Sequence, residues 1–195
     1  SDGVGEVLEA GAGVTRLRAG DRVCPCFTQG WIDGPRDGTH LNLGGPIDGT
    51  MAEYMVLPEG GVVKAPAYLA DEQAASLPCA ALTAWSALVT YDNVVPGSRV
   101  LVQGTGGVAL FALKFAKLRG AHVTIISSSD EKIAQARALG ADAAINYVRT
   151  PDWYKATREI TAGRGYDLIV ELGGEKTLPQ SLLCVRAGGT ISIIG

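Results

Sequence analysis

The segment Gly104-Thr-Gly106-Gly107-Val-Ala109 carries the clearest chemistry in the chain. It directly follows the apolar run Arg99-Val-Leu-Val-Gln103 and opens a helical pattern over 107–119. In that setting Gly104 permits a tight turn. Gly106 lets a diphosphate approach the backbone with no Cβ in between, and Ala109 is small enough for close helix–strand packing. Thr105, Gly107 and Val108 complete the turn. The free N–H groups at the helix start, with their partial positive charge, favour phosphate. The expected ligand is a dinucleotide; a glycine-rich turn without a ligand is the plainer alternative.

The next apolar run, His122-Val-Thr-Ile-Ile126, should end beside the adenosine ribose. An acid there would accept from both ribose hydroxyls and select NAD. Ser127 stands in that place, followed by Ser128, Ser129 and Asp130. Without the carboxylate there is no repulsion against a 2′-phosphate, and hydroxyls donate to it. Lys132, one helical turn on, supplies charge, and Tyr147, past the third strand, adds a hydroxyl. Ser127, Ser128, Lys132 and Tyr147 therefore predict NADP(H) over NAD(H). In the competing reading Ser128 only caps a helix, Lys132 is solvated and Tyr147 packs.

These residues need an alternating α/β frame. Strands are expected at 99–103, 122–126, 143–145, 166–170 and 190–194, and helices at 107–119, from a Ser128/Glu131 capping box to Leu139, at 152–162 and at 176–185. In the first of these helices Val108, Phe111, Phe115 and Leu118 share one face, while Lys114 and Lys117 lie towards another. Short connections imply right-handed crossovers and a parallel sheet. Before residue 70 the pattern is β with loops: strands at 4–8, near 22, at Ala52–Leu57 and at 62–65, with a long loop over 28–50. Asp71 is placed to cap a helix over 72–90.

With 47% hydrophobic and only 19% charged residues, the chain of 195 is no disordered polymer. A net charge of −3 gives no electrostatic footprint for nucleic acid. Four cysteines (24, 26, 79, 184) do not have the spacing of a disulfide scaffold and suggest a reduced, cytoplasmic protein. The apolar stretch Ala74 to Val89 is short and broken by Ser76, Pro78, Thr83 and Ser86, so no membrane span is expected. A start without methionine and a stop directly after a strand suggest a piece of a longer polypeptide.

Together, Pro78-Cys-Ala-Ala-Leu-Thr-Ala-Trp85, Gly97-Ser-Arg-Val-Leu-Val-Gln-Gly-Thr-Gly-Gly-Val108, Leu139-Gly-Ala-Asp142 and Ile145-Asn-Tyr147 resemble the medium-chain dehydrogenase/reductase superfamily. Ser1-Asp-Gly-Val-Gly-Glu-Val7 and Ala19-Gly-Asp-Arg-Val23 resemble its GroES-like domain, and the nearest likeness is to quinone oxidoreductases and zinc-type alcohol dehydrogenase-like members. The resemblance implies part of a GroES-like β-rich domain over 1–68. It implies a Rossmann-type doubly wound parallel sheet over 69–195, lacking its last strand and helices. It places Thr83 near a nicotinamide and has Leu172, Gly173, Gly174, Ile194 and Gly195 line the cofactor cleft through backbone groups. A full-length homodimer is implied as well.

Catalytic zinc in that family takes three protein ligands. Cys79 matches one ligand position, but Ser1 stands where the ligand histidine is usual, with Asp2 beside it as the one substitute. Cys24 and Cys26 have the wrong spacing for the structural-zinc lobe, and His40 and His122 are isolated, so no metal is expected. The expected reaction is hydride transfer from NADPH to a quinone or an α,β-unsaturated carbonyl. Solvent supplies the proton, since no general acid is evident. Tyr54 and Trp85 either line a substrate pocket or pack a core. No tyrosine has lysine four residues later, which disfavours the short-chain class. A zinc alcohol dehydrogenase and a non-catalytic nucleotide-binding protein are the rivals.

Overall fold

The computed structural model describes residues 2–35, 38, 40–91 and 94–195. Two compact units divide the chain, Ser1–Leu82 and Thr83–Gly195.

In the first unit β1 (Gly5–Glu6), β2 (Arg22–Pro25) and β5 (Val62–Lys64) form an antiparallel sheet in the order β1-β2-β5. The long segment expected as loop over 28–50 contains a small antiparallel pair, β3 (Thr28–Gln29) with β4 (Leu41–Asn42). The buried Gln29 fastens this pair to the rest, its Nε2 donating to the carbonyls of Cys26 (2.7 Å) and Gly61 (2.9 Å).

The strand expected at Ala52–Leu57 does not form. Tyr54 is 77% exposed and Val56 fully so, and no neighbouring strand among the described residues takes the backbone groups. An apolar, β-prone run makes a strand only where a ladder partner exists.

Asp71 is the first residue of α1 (Asp71–Ala75) and not its cap. Its carboxylate instead accepts from the Arg22 guanidinium at 2.5 Å, while Gln73 Oε1 receives the Ala70 N–H. The continuous helix expected over 72–90 is interrupted. Wide i→i+5 turns at Leu77–Ala81 and Ser86–Thr90 flank the short α2 (Leu82–Trp85). Pro78, at the start of the first wide turn, has no N–H to give to the preceding turn.

The second unit is a five-stranded, wholly parallel sheet in the order β10-β9-β6-β7-β8, made of β6 (Arg99–Gln103), β7 (His122–Ser127), β8 (Ala143–Asn146), β9 (Tyr166–Glu171) and β10 (Val185–Ile193). Strand side chains alternate between two cores. Val100, Val102, Val123, Ile125, Leu168 and Val170 face the layer of α3 (Gly107–Leu118) and α4 (Asp130–Ala138). Leu101, Ile126 and Ile169 share the opposite core with Trp153 of α5 (Trp153–Ile160) and Cys184 of α6 (Leu178–Cys184). Burial on both faces explains why the central strands β9, β6 and β7 read as largely apolar runs.

Of the apolar face expected on α3, Val108, Phe111 and Phe115 pack against the core and Leu118 does not. Ala109, Ala112, Leu113 and Ala116 are fully buried, whereas Leu118 is 80% exposed. Small residues let the helix lie close to the strands. The larger rings sit beside that stripe, Phe111 stacked on Phe115 (5.9 Å) and Phe115 edge-on to Trp85 (5.6 Å). Ser129, one residue later than expected, caps α4, its hydroxyl accepting the Lys132 N–H at 3.3 Å.

At the amino edge of the sheet Asp167 gathers three donors: the Arg99 N–H (2.7 Å), Arg186 Nε (2.6 Å) and Arg164 Nη2 (2.8 Å). Burial works to raise its pKa, but the Arg99 amide and the two guanidinium groups outweigh it and hold the carboxyl below its ordinary value of 3.8. A depressed folded-state pKa contributes stability above the unfolded value, and that stability is lost as pH falls through the folded one. Asp167→Asn is expected to lower stability by about 1–3 kcal/mol at neutral pH. It should also flatten the acid limb of a melting-temperature profile below pH ~4. An unchanged acid limb would remove Asp167 as its source.

Candidate functional site

Most of the predicted site residues sit at the carboxyl ends of the parallel strands, where open α/β sheets bind ligands. The turn 104–106 leaves β6. Gly104 has φ +76°, which an L side chain rarely adopts, and its N–H donates to Ile126 O at 2.7 Å, tying the turn to β7. Gly106 is the N-cap of α3 in extended conformation, and no side chain caps the helix. A Cβ built on Gly106 would meet no atom within 4 Å, and Gly106 and Gly107 are exposed. Val108 is half-buried, and Ala109 is fully buried beneath. An open, uncapped helix start with room over its backbone fits a diphosphate.

Beside it, Ser127 ends β7 and is 3% exposed. Its Oγ lies 3.2 Å from Thr105 Oγ1 and accepts the Ser129 N–H at 3.4 Å. The hydroxyl expected at the ribose is thus already linked to the glycine turn. Ser128 and Lys132 are exposed, and Lys132 forms no ion pair among the described residues. Tyr147, 40% exposed, follows β8 and donates its N–H to Ser127 O at 3.1 Å. Asp130, at the start of α4, accepts from Asn146 Nδ2 (2.9 Å) and pairs with Arg149. Those two partners hold its carboxyl below the ordinary value against a small burial effect.

Leu172 and Gly173 leave β9, and Ile194 and Gly195 follow β10. Both Ile194 and Gly195 donate N–H groups to Glu171 O (2.9 and 3.2 Å). Thr83 is half-buried on α2, which is not a strand end. Tyr54 is exposed and packs no core.

The sequence reading missed Glu171 and Gln103. Both are buried polar residues at the ends of adjacent strands, on the face toward Ser181 of α6. Their signal was available: each closes an otherwise apolar run at the same parity.

Asp2 Oδ1 accepts the Cys79 N–H at 2.9 Å, so the carboxylate meets the backbone of Cys79. Among the described residues no three His, Cys, Asp or Glu side chains converge on a metal position, and Ser1 lies outside them. Cys24 and Cys26 are free thiols, both pushed up by burial. His122 is exposed at the head of β7.

The family described as "Alcohol dehydrogenase GroES-like domain" matches residues 1–67, and the one described as "Zinc-binding dehydrogenase" matches 107–195. The chain belongs to the medium-chain dehydrogenase/reductase superfamily, with a Rossmann-type sheet preceded by a GroES-like part. A zinc-type alcohol dehydrogenase-like protein of Schizosaccharomyces pombe is 48% identical over all of this chain and 58% of its own length. The crystal structure of a putative alcohol dehydrogenase from Sinorhizobium meliloti superposes with a TM-score of 0.95 at 50% identity, over 100% of this chain and 58% of that one. A quinone oxidoreductase from Pseudomonas syringae pv. tomato superposes with a TM-score of 0.84 at 33% identity, over 100% and 54%. The chain thus spans somewhat more than half the length of these relatives.

Proposed function

We propose that this chain carries the cofactor-binding core of an NADPH-dependent oxidoreductase. The enzyme would reduce a quinone or an α,β-unsaturated carbonyl without a metal ion. One observation carries the reading: the uncapped start of α3, open above Gly106, lies next to hydroxyls at Thr105 and Ser127. The turn 104–108 would hold the diphosphate through backbone N–H groups, and Ser127, Ser128, Lys132 and Tyr147 the 2′-phosphoribose. Leu172, Gly173, Ile194 and Gly195 would present backbone groups to the nicotinamide half, with Thr83 as its neighbour. The bound nicotinamide would supply the hydride, and the protein's part is to hold it against an electrophilic carbon and exclude competing reactions.

In this reading residues 1–68 belong to the substrate-side domain and 69–195 to the cofactor domain. The enzyme works as a cytoplasmic homodimer, and four free cysteines fit a reducing compartment. The quinone oxidoreductase relative supports the substrate class.

The test is NADPH oxidation by the protein as it occurs in the cell, with a panel of quinones and enones. Turnover with either class is the expected result. Tight NADPH binding with no turnover on any of them would leave a binding protein instead. A second reading, a zinc alcohol dehydrogenase, draws on the alcohol dehydrogenase relatives and on the closeness of Asp2 to Cys79. Stoichiometric zinc, removed together with alcohol oxidation by a chelator, would establish it.

A further inference from the structure

Glu171 is a fully buried carboxylate at the end of β9, beside the buried Gln103 of β6. Five donors converge on it. Oε1 accepts the N–H groups of Gly173 (2.9 Å) and Gly174 (3.1 Å) and the Thr177 hydroxyl. Oε2 accepts Gln103 Nε2 (2.5 Å) and Ser181 Oγ (2.5 Å). Gln103 then turns its own Oε1 to the N–H groups of Leu172 (3.3 Å) and Gly173 (3.1 Å). The main-chain carbonyl of Glu171 receives Ile194 and Gly195. One residue therefore fastens both backbone segments that follow β9 and β10.

The approach is close as well as bonded. A Cβ on Gly173 would collide with the Thr177 side chain, and one on Gly195 with the Leu172 carbonyl. Such a buried network costs desolvation that a Leu or Ile at 171 would avoid. Fully satisfied, it fixes one geometry of the surrounding backbone, which apolar packing specifies less sharply.

We infer that Glu171 is a positioning residue whose carboxylate, relayed by Gln103, sets the 172–174 and 194–195 backbone for the nicotinamide half of the cofactor. This rests on the cofactor reading above. It separates the two halves of the ligand: the adenosine half meets residues 104–109, 127, 128, 132 and 147, none of which Glu171 touches.

The experiment compares binding of NADPH and of 2′,5′-ADP, which lacks the nicotinamide, to wild type, Glu171→Gln, Thr177→Val and Thr177→Ser by titration calorimetry, with a melting temperature for each. Gln at 171 replaces an acceptor oxygen by an NH2 that faces donors. NADPH affinity should fall about tenfold or more while 2′,5′-ADP is held within about twofold of wild type. Thr177→Val should shift NADPH in the same direction by a smaller factor, and Thr177→Ser should restore it. A lowered melting temperature with the NADPH to 2′,5′-ADP ratio unchanged in both Glu171→Gln and Thr177→Val would overturn the inference, leaving a structural role alone. If Glu171→Gln does not fold, the two Thr177 variants decide by the same ratio. If the wild type binds neither ligand, the cofactor reading fails first and takes this inference with it.

Discussion

Gly106→Asp is expected to abolish measurable NADPH binding while leaving the fold at least as stable. The position is the N-cap of α3, with φ −82° and ψ −174°, a conformation any residue adopts, and with no atom within 4 Å of a new Cβ. Aspartate is among the best N-cap residues, and its carboxylate would satisfy N–H groups that no side chain now caps. The helix should gain a few tenths of a kcal/mol from the cap and a comparable amount from the macrodipole. The same carboxylate would stand where the diphosphate is placed. Like charges about 4 Å apart repel by roughly 4 kcal/mol at an effective dielectric of 20, a loss on the order of 10²–10³-fold in affinity. Paired melting and calorimetric titration check it. A variant that melts at or above wild type and no longer binds supports the site. Undiminished NADPH binding places the diphosphate elsewhere.

How far the chain could be read without coordinates depended on what each element had to satisfy. The central parallel strands were legible because burial on both faces leaves apolar runs, as in Val100 to Val102 and Leu168 to Val170. The glycine turn was legible because backbone approach and a positive φ restrict the residue type at Gly104. The apolar face of α3 was legible except at its end, where Leu118 is exposed. Fully buried on that helix are Ala109, Ala112, Leu113 and Ala116, with Val108, Phe111 and Phe115 packed against the same core. At 52–57 a strand-like apolar run ended by Pro58 was present, yet no partner strand among the described residues lies beside it. In the site, Ser127 was placed at the end of its strand, but its commitment to Thr105 depends on two strands lying side by side, which no local pattern records. Glu171 differs: a polar residue closing an apolar run was visible locally, and only its donors, up to 68 positions away, were not.

Ser127→Asp should reverse the nucleotide preference. The serine is buried at the end of β7, with Thr105 Oγ1 and the Ser129 N–H at its hydroxyl. Both can donate to a carboxylate, so the substitution keeps its local partners and adds two acceptor oxygens toward the ribose. Those oxygens repel a 2′-phosphate and accept from a 2′-hydroxyl. NADPH affinity should fall by about 10–100-fold and NADH affinity should rise, since one charge–charge contact near a protein surface is worth a few kcal/mol before screening. Of the nearby cations, Arg149 is already paired with Asp130, while Lys132 makes no ion pair among the described residues. Lys132→Ala should therefore weaken NADPH by a few-fold and leave NADH unchanged, because its role is charge alone and it is exposed. Titration of both nucleotides against both variants, at low and at physiological salt, checks the pair. If Ser127→Asp leaves the ratio of the two affinities where wild type has it, the ribose does not lie at the end of β7, and the hydroxyls there serve only to join β7 to the glycine turn.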